Sequence, residues 1–306
     1  MSSHPRPSMK SFKKCCTSVE SVPLWGIGSY TATWNLGVDG YPAPRRPWNA
    51  FDILHEAAHI GCTLIQLCEN THLERMTDEQ LEHLRAAAWE NGITIELGTR
   101  GVDAGVLKEQ LRLTQLLGAR RVRTLVDGPN SHPDAHTAIR YLRQSMPCFE
   151  EMGVELMLEN HDLRRSTELR QIIESVASPN LGVCIDTVNS LGILETQKDV
   201  LDALLPYVRC LHLKDFSIHR LRHGMGFCVE GTPVGEGLLA YEALFETVLK
   251  QNPRASVVIE LWTPWQGDIE QTARLERDWL EQSGRTVAEF LHGAQEKLLW
   301  ACDQHG

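Results

Sequence analysis

From Leu24 onward, short runs of apolar or β-branched residues alternate with longer segments in which apolar positions recur every three to four residues. The short runs begin near Ile27, Thr63, Ile93, Val122, Val154, Leu181, Val208 and Ser256, and each reads as a strand. The segments between them read as amphipathic helices. Thr77 and Gln80 form a capping-box pair ahead of Leu81, Leu84 and Ala88, and Asn91-Gly92 closes that helix. Leu169, Ile172, Ile173 and Val176 fall at i, i+3, i+4 and i+7, as do Tyr241, Leu244, Phe245 and Val248 before the stop at Asn252-Pro253.

Runs such as Val257-Val-Ile are apolar on both sides, as parallel strands buried on two faces must be. Eight strand-then-helix units in order predict an α/β protein built as a closed (β/α)8 TIM barrel; a doubly wound open sheet is the competing arrangement. No Pro- or Ser-rich linker divides the chain. Residues 21–306 are therefore expected to form a single barrel, with a Gly-rich inserted loop at about 216–237 after the seventh strand. Residues 1–20, basic and without an apolar stretch, read as a loose N-terminal extension rather than a secretory signal.

Composition narrows the function classes. The 306 residues are 42% hydrophobic and 23% charged, with 40 acidic against 30 basic side chains and a formal net charge of −10. Sequence-independent nucleic-acid binding relies on clustered Lys and Arg, so nucleic acid is not an expected partner. No apolar run approaches the roughly 20 residues of a membrane span. Nine cysteines, an odd number without a C-x-x-C, suit reduced thiols and a cytoplasmic location. The helical stretch from Gln266 to Trp300 is placed either to cap the barrel or to pair with a second copy in a homo-oligomer.

Several apolar runs end in polar groups that packing would not select. Val154 to Leu158 ends in Glu159-Asn160-His161, and Leu181 to Ile185 in Asp186, with Asn189 three residues on. Val208 to Leu211 ends in His212, followed by Lys214, and Val257 to Ile259 ends in Glu260. In a barrel these positions share one rim, where catalytic groups sit. Three carboxylates and an imidazole converging there need a cation, and an O3N set suits Mn2+ or Mg2+, with Co2+ or Zn2+ also accommodated. Glu159, Asp186, His212 and Glu260 are thus the candidate metal ligands.

At these residues the chain resembles the xylose-isomerase-like sugar isomerase and epimerase superfamily. The likeness rests on Leu158-Glu159-Asn160, Cys184-Ile185-Asp186-Thr187, Leu211-His212-Leu213-Lys214-Asp215 and Ile259-Glu260. It implies a divalent metal on the four ligands and an acid/base role for Glu159 and Glu260. The type IV endonucleases of the same superfamily carry a His where this chain has Asn189, so their trinuclear zinc site is not expected. Lys214-Asp215-Phe216, Ile218, Arg220, His223 and Met225-Gly226-Phe227 resemble a subgroup of 3-oxo-isoapionate decarboxylases and related sugar-acid enzymes.

The expected function is a divalent-metal-dependent sugar isomerase or epimerase working through a metal-stabilised enediolate, with Glu159, Glu260 and Lys214 as catalytic residues. The alternatives are a lyase of the same fold, decarboxylating a 3-oxo sugar acid or dehydrating a related acid, and a non-catalytic sugar-binding barrel. The partner is a small sugar or sugar acid, anionic if the basic loop meets it. Expected substrate contacts are His161, Asn189, Arg123, Trp34, and Arg220 and His223 of the insertion, whose glycines would let it fold over the rim. Tyr30, Asn70, Glu96, Arg100 and Asp127 are further rim candidates.

Overall fold

The computed structural model of the chain describes residues 23–304, with side chains as far as 293. The N-terminal extension expected at residues 1–20 lies outside the described residues. The strands are β1 (Trp25–Gly28), β2 (Leu64–Leu67), β3 (Thr94–Arg100), β4 (Arg121–Leu125), β5 (Glu155–Glu159), β6 (Leu181–Asp186), β7 (Val208–Leu213), β8 (Asp215–Arg220), β9 (Phe227–Thr232) and β10 (Ser256–Ile259). The helices are α1 (Thr33–Leu36), α2 (Ala50–Ile60), α3 (Asp78–Glu90), α4 (Ala104–Leu117), α5 (Ala135–Met152), α6 (Ser166–Val176), α7 (Gln197–Leu204), α8 (Tyr241–Gln251) and α9 (Ile269–Gln304). Strands β1 to β7 and β10 close in parallel into one barrel, in the order β1-β10-β7-β6-β5-β4-β3-β2.

Local chemistry supports each unit. Thr77 Oγ1 accepts from Gln80 N at 3.2 Å while Gln80 Oε1 accepts from Thr77 N at 2.9 Å, so the capping box starts α3 as its sequence requires. On α6 and α8 the buried residues are Leu169, Ile172 and Ile173, and Leu244, Phe245 and Val248, the same apolar stripes seen in the sequence. One core lies between sheet and helices; a second group, Leu64, Met157, Cys184, Cys210 and Val258, fills the barrel interior. Register sets the height of the polar strand ends. Asp186 and Val258 both lie opposite His212, so β6, β7 and β10 deliver their polar ends to one level.

The insertion differs from the loop expected of it. β8 and β9 pair antiparallel from Asp215↔Thr232 to Arg220↔Phe227, forming a hairpin. The hairpin reaches the rim, where Val229 of β9 lines the cavity at the barrel mouth, and Gly235 and Gly237 serve its return path. The Asp215 carboxylate accepts from the backbone N–H groups of Phe216, Gly235, Gly237 and Leu239 at 2.8 to 3.0 Å. A Cβ at Gly237 would fall 2.1 Å from Asp215 Oδ1, so only glycine permits this approach. At the other end of the chain, α9 caps the mouth beside the first loop: Glu276 accepts from Trp34 N at 3.0 Å, Asn35 N at 2.9 Å and Asn35 Nδ2 at 2.7 Å.

Candidate metal and active site

A cavity of about 710 Å³ opens at the carboxyl ends of the barrel strands. At its base, His212 Nδ1 lies 3.5 Å from Glu159 Oε1, 4.0 Å from Asp186 Oδ2 and 3.4 Å from Glu260 Oε1. All four residues are buried. Neither His212 Nδ1 nor Glu260 Oε1 has a hydrogen-bond partner, although both are enclosed. Orphaned buried polar atoms of this kind are costly without a ligand. Atoms sharing one cation lie roughly 3 to 4 Å apart when their bonds to it are near 2.1 Å. Glu159, Asp186 and His212, whose ligand atoms all lie within 4.8 Å of one another, fit a single divalent ion, and Glu260 stands beside them against His212.

Two cations flank these carboxylates. Lys214 Nζ lies 2.7 Å from Asp186 Oδ2 and 2.8 Å from Glu260 Oε2. Arg123 pairs with Glu159 Oε2, and Glu159 Oε1 accepts from Asn189 Nδ2 at 2.9 Å. Burial pushes the Glu159 carboxyl up, but Arg123 first, then His212 and Lys214, hold it well below the usual carboxylate range. Glu260 is lowered by His212 and Lys214 against its own burial. Burial likewise lowers His212, yet Glu260 and Glu159 outweigh it and carry the imidazole well above its ordinary value. Carboxylates that hold a proton on a buried ring so firmly attract a metal ion for the same reason.

Asp186 Oδ1 accepts from the N–H groups of Val188 and Asn189 at 2.9 and 2.7 Å, which fixes the carboxylate at the end of β6. Trp34 lines the cavity with its Nε1 donating to Thr263 O at 2.7 Å, and stacks with Tyr41 and Trp265. His161, Asn189, Arg123 and Lys214 also line it, as do Tyr30 and Arg100. The structure therefore brings together all four candidate ligands and four of the six expected substrate contacts. Arg220 and His223 are not among them: both are exposed toward the hairpin turn, and neither lines the cavity. Glu96 is a correction. It sits near the start of β3, inside the barrel below the rim, because β3 runs on to Arg100. Gln66, Trp262 and Glu276 were not foreseen; of these only Gln66, a lone amide in the run Leu64-Ile65-Gln66-Leu67, carried a signal in the sequence.

A family model for xylose isomerase-like TIM barrels matches residues 54–283. The chain belongs to this family. Within it, the chain is 31% identical over 258 residues to 3-oxo-isoapionate decarboxylase of Pectobacterium atrosepticum, covering 84% of this chain and 92% of that protein. Among solved structures, D-psicose 3-epimerase from Clostridium cellulolyticum with D-tagatose superposes with a TM-score of 0.64 at 15% identity, over 88% of this chain and 98% of the other. A xylose isomerase-like TIM barrel protein from Mycobacterium smegmatis in complex with magnesium gives 0.58 at 15% identity, over 77% and 88%. These two likenesses establish the shared barrel fold. Across such a family the barrel is common and the reaction varies with the rim.

Proposed function

We propose that the chain is a divalent-metal-dependent lyase that decarboxylates a 3-oxo sugar acid. The observation that carries this reading is the state of Glu159. Both of its oxygens are engaged, one by Arg123 and one by Asn189, and its carboxyl is held well below the usual range. Epimerisation by proton removal and return needs two carboxylates of which each can act as a base. Glu159 is a poor base and a good ligand. Decarboxylation of a 3-oxo acid needs no base on carbon, since the electrons come from the bond to the leaving carboxylate.

Charge supports the same reading. Three carboxylates against Lys214 and Arg123 leave one negative charge, which a divalent ion reverses to one positive charge. That positive charge favours an anionic group beside Lys214 and Arg123, while Arg100 adds a positive charge and Asp162 and Glu276 acidic groups to the rest of the wall. The 31% identity to a decarboxylase of a 3-oxo sugar acid agrees with this, and the magnesium complex of a family barrel agrees with the ligand set.

When bound, a divalent ion held by Glu159, Asp186, His212 and Glu260 supplies Lewis-acid stabilisation for a developing oxyanion. The protein's own groups do the rest. As the bond between carboxylate and α-carbon breaks, CO2 leaves and the electron pair moves toward the 3-oxo oxygen. Groups that bind better as charge arrives there accelerate the reaction, so Lys214 belongs beside that oxygen. Two of its three N–H groups meet Asp186 and Glu260, and the third makes a long 3.4 Å contact to Asn189 Oδ1 that a substrate oxygen would replace. Lys214, held protonated by Asp186 and Glu260 against its burial, also donates the proton that the α-carbon takes up and regains one from solvent.

Epimerisation is the second reading, favoured by the placement of both Glu159 and Glu260 near His212 Nδ1, at 3.5 and 3.4 Å. Incubating the Mn2+-loaded protein with 3-oxo sugar acids and with neutral ketoses in D2O separates the two. CO2 release with one deuteron in the product supports decarboxylation. Deuterium exchange on a ketose without CO2 supports epimerisation.

A further inference from the structure

Gln66 interrupts an apolar strand and is fully buried inside the barrel. An amide in that position is costly unless both of its polar ends are satisfied. Both are. Its Oε1 lies 2.8 Å from His212 Nε2, and its Nε2 donates to Glu96 Oε2 at 3.2 Å. Glu96, the register partner of Gln66 on β3, turns its other oxygen to Arg121, whose NH1 donates at 3.3 Å. Arg121 is anchored in turn by Glu155 Oε2 at 2.7 Å and by the Arg254 carbonyl at 2.9 Å. Gln66, Glu96 and Arg121 do not line the cavity, so this chain of contacts does not meet substrate.

The direction of each bond follows from its anchored end. Arginine only donates, so Glu96 accepts from it; above a pH of about 7, where Glu96 is ionised, its second oxygen is also only an acceptor for Gln66, and the test below is run there. The NH2 end of the Gln66 amide must therefore face Glu96, which leaves Gln66 Oε1 facing His212. An amide oxygen only accepts, so His212 carries its hydrogen on Nε2. Nδ1, the nitrogen that faces Glu159, Asp186 and Glu260, is then the one whose proton a cation displaces and whose lone pair it takes. The reversed amide would set an N–H against Nε2 and favour the other tautomer.

We infer that Gln66 and Glu96 are positioning residues that select the His212 tautomer competent to bind the metal; this rests on the metal reading given above. The test uses the full chain, stripped with a chelator and titrated with Mn2+, together with 15N spectra of the histidine-labelled, Mg2+-loaded protein. Wild type should show hydrogen on His212 Nε2 and coordination at Nδ1. Gln66→Met, similar in volume, should bind Mn2+ about 10- to 100-fold more weakly and lose that single pattern. Glu96→Gln has a single acceptor, which Arg121 claims, so its NH2 end faces Gln66 and reverses that amide; it should also weaken Mn2+ binding and shift His212 toward the other tautomer, and it remains measurable should the first variant fold poorly. Wild type that binds Mn2+ while both folded variants bind it equally tightly, with the tautomer unchanged, would overturn the inference alone. Wild type that binds no Mn2+ would overturn the metal reading and the inference with it.

Discussion

His212 Nδ1 and Glu260 Oε1 lie 3.4 Å apart inside the barrel, and each is buried without a hydrogen-bond partner. They come from β7 and from the residue after β10, adjacent strands whose register brings Val258 opposite His212. Two such atoms facing each other are best explained by a cation between them and the neighbouring carboxylates. Adding Mn2+ or Mg2+ to chelated protein is therefore expected to raise its melting temperature, by the equivalent of about 2.7 kcal/mol at a hundred times the dissociation constant. His212→Ala should abolish the shift, which differential scanning calorimetry reads directly.

Lys214 contacts two of the same carboxylates, Asp186 and Glu260, from the cavity side. Removing its charge leaves them more available to a metal while taking away the group assigned to the 3-oxo oxygen and to proton return. Lys214→Met is expected to lower turnover about 100-fold or more. Its Mn2+ affinity should stay the same or rise, as calorimetric titration would report. A fall of both together would mean that Lys214 serves metal binding instead.

Two carboxyls are raised by burial: Glu96 to about 7, and Glu276, in the cavity wall, also to about 7. A carboxyl whose folded value lies above its unfolded value of 4.5 binds more protons when folded, so stability falls as pH rises between these limits. Metal-free protein is expected to have a lower urea midpoint at pH 7 than at pH 5. Glu276→Gln should show a smaller difference between the two pH values, whatever its stability at either one.

The cradle around Asp215 makes the hairpin root sensitive to volume. Gly237→Ala sets a methyl against Asp215 Oδ1 and the Phe216 carbonyl, and is expected to cost about 1–3 kcal/mol in urea unfolding. Arg220→Ala, at the exposed end of β8, should leave stability within about 0.5 kcal/mol of wild type.

The parts of the site that could be read in the sequence were those where chemistry interrupts an apolar run at its end. Glu159 and Asp186 end their strands, His212 lies one residue before the end of β7 and Glu260 just past β10, and eight strands in order placed them on one rim. Strand length was less legible: β3 continues to Arg100, so Glu96, taken for a rim residue, lies inside the barrel. Gln66 stood out in its run, but nothing local pointed to a partner 146 positions away. Glu276 lies on a helix whose pattern shows only amphipathicity, and its role depends on how α9 crosses the loop after β1. In the insertion, glycine density suggested a cover over the rim; Val229 does reach the cavity, but the close contacts at Asp215 account for Gly235 and Gly237.

The central claim is a metal-assisted decarboxylation in which Glu159 binds and Lys214 protonates. Its most direct test is CO2 release from a 3-oxo sugar acid by Mn2+-loaded protein, followed in D2O and repeated after chelation. The account requires CO2 that depends on the metal, and a product bearing one deuteron on the former α-carbon. Deuterium exchange on a sugar without CO2, or CO2 release unchanged by chelation, would contradict it.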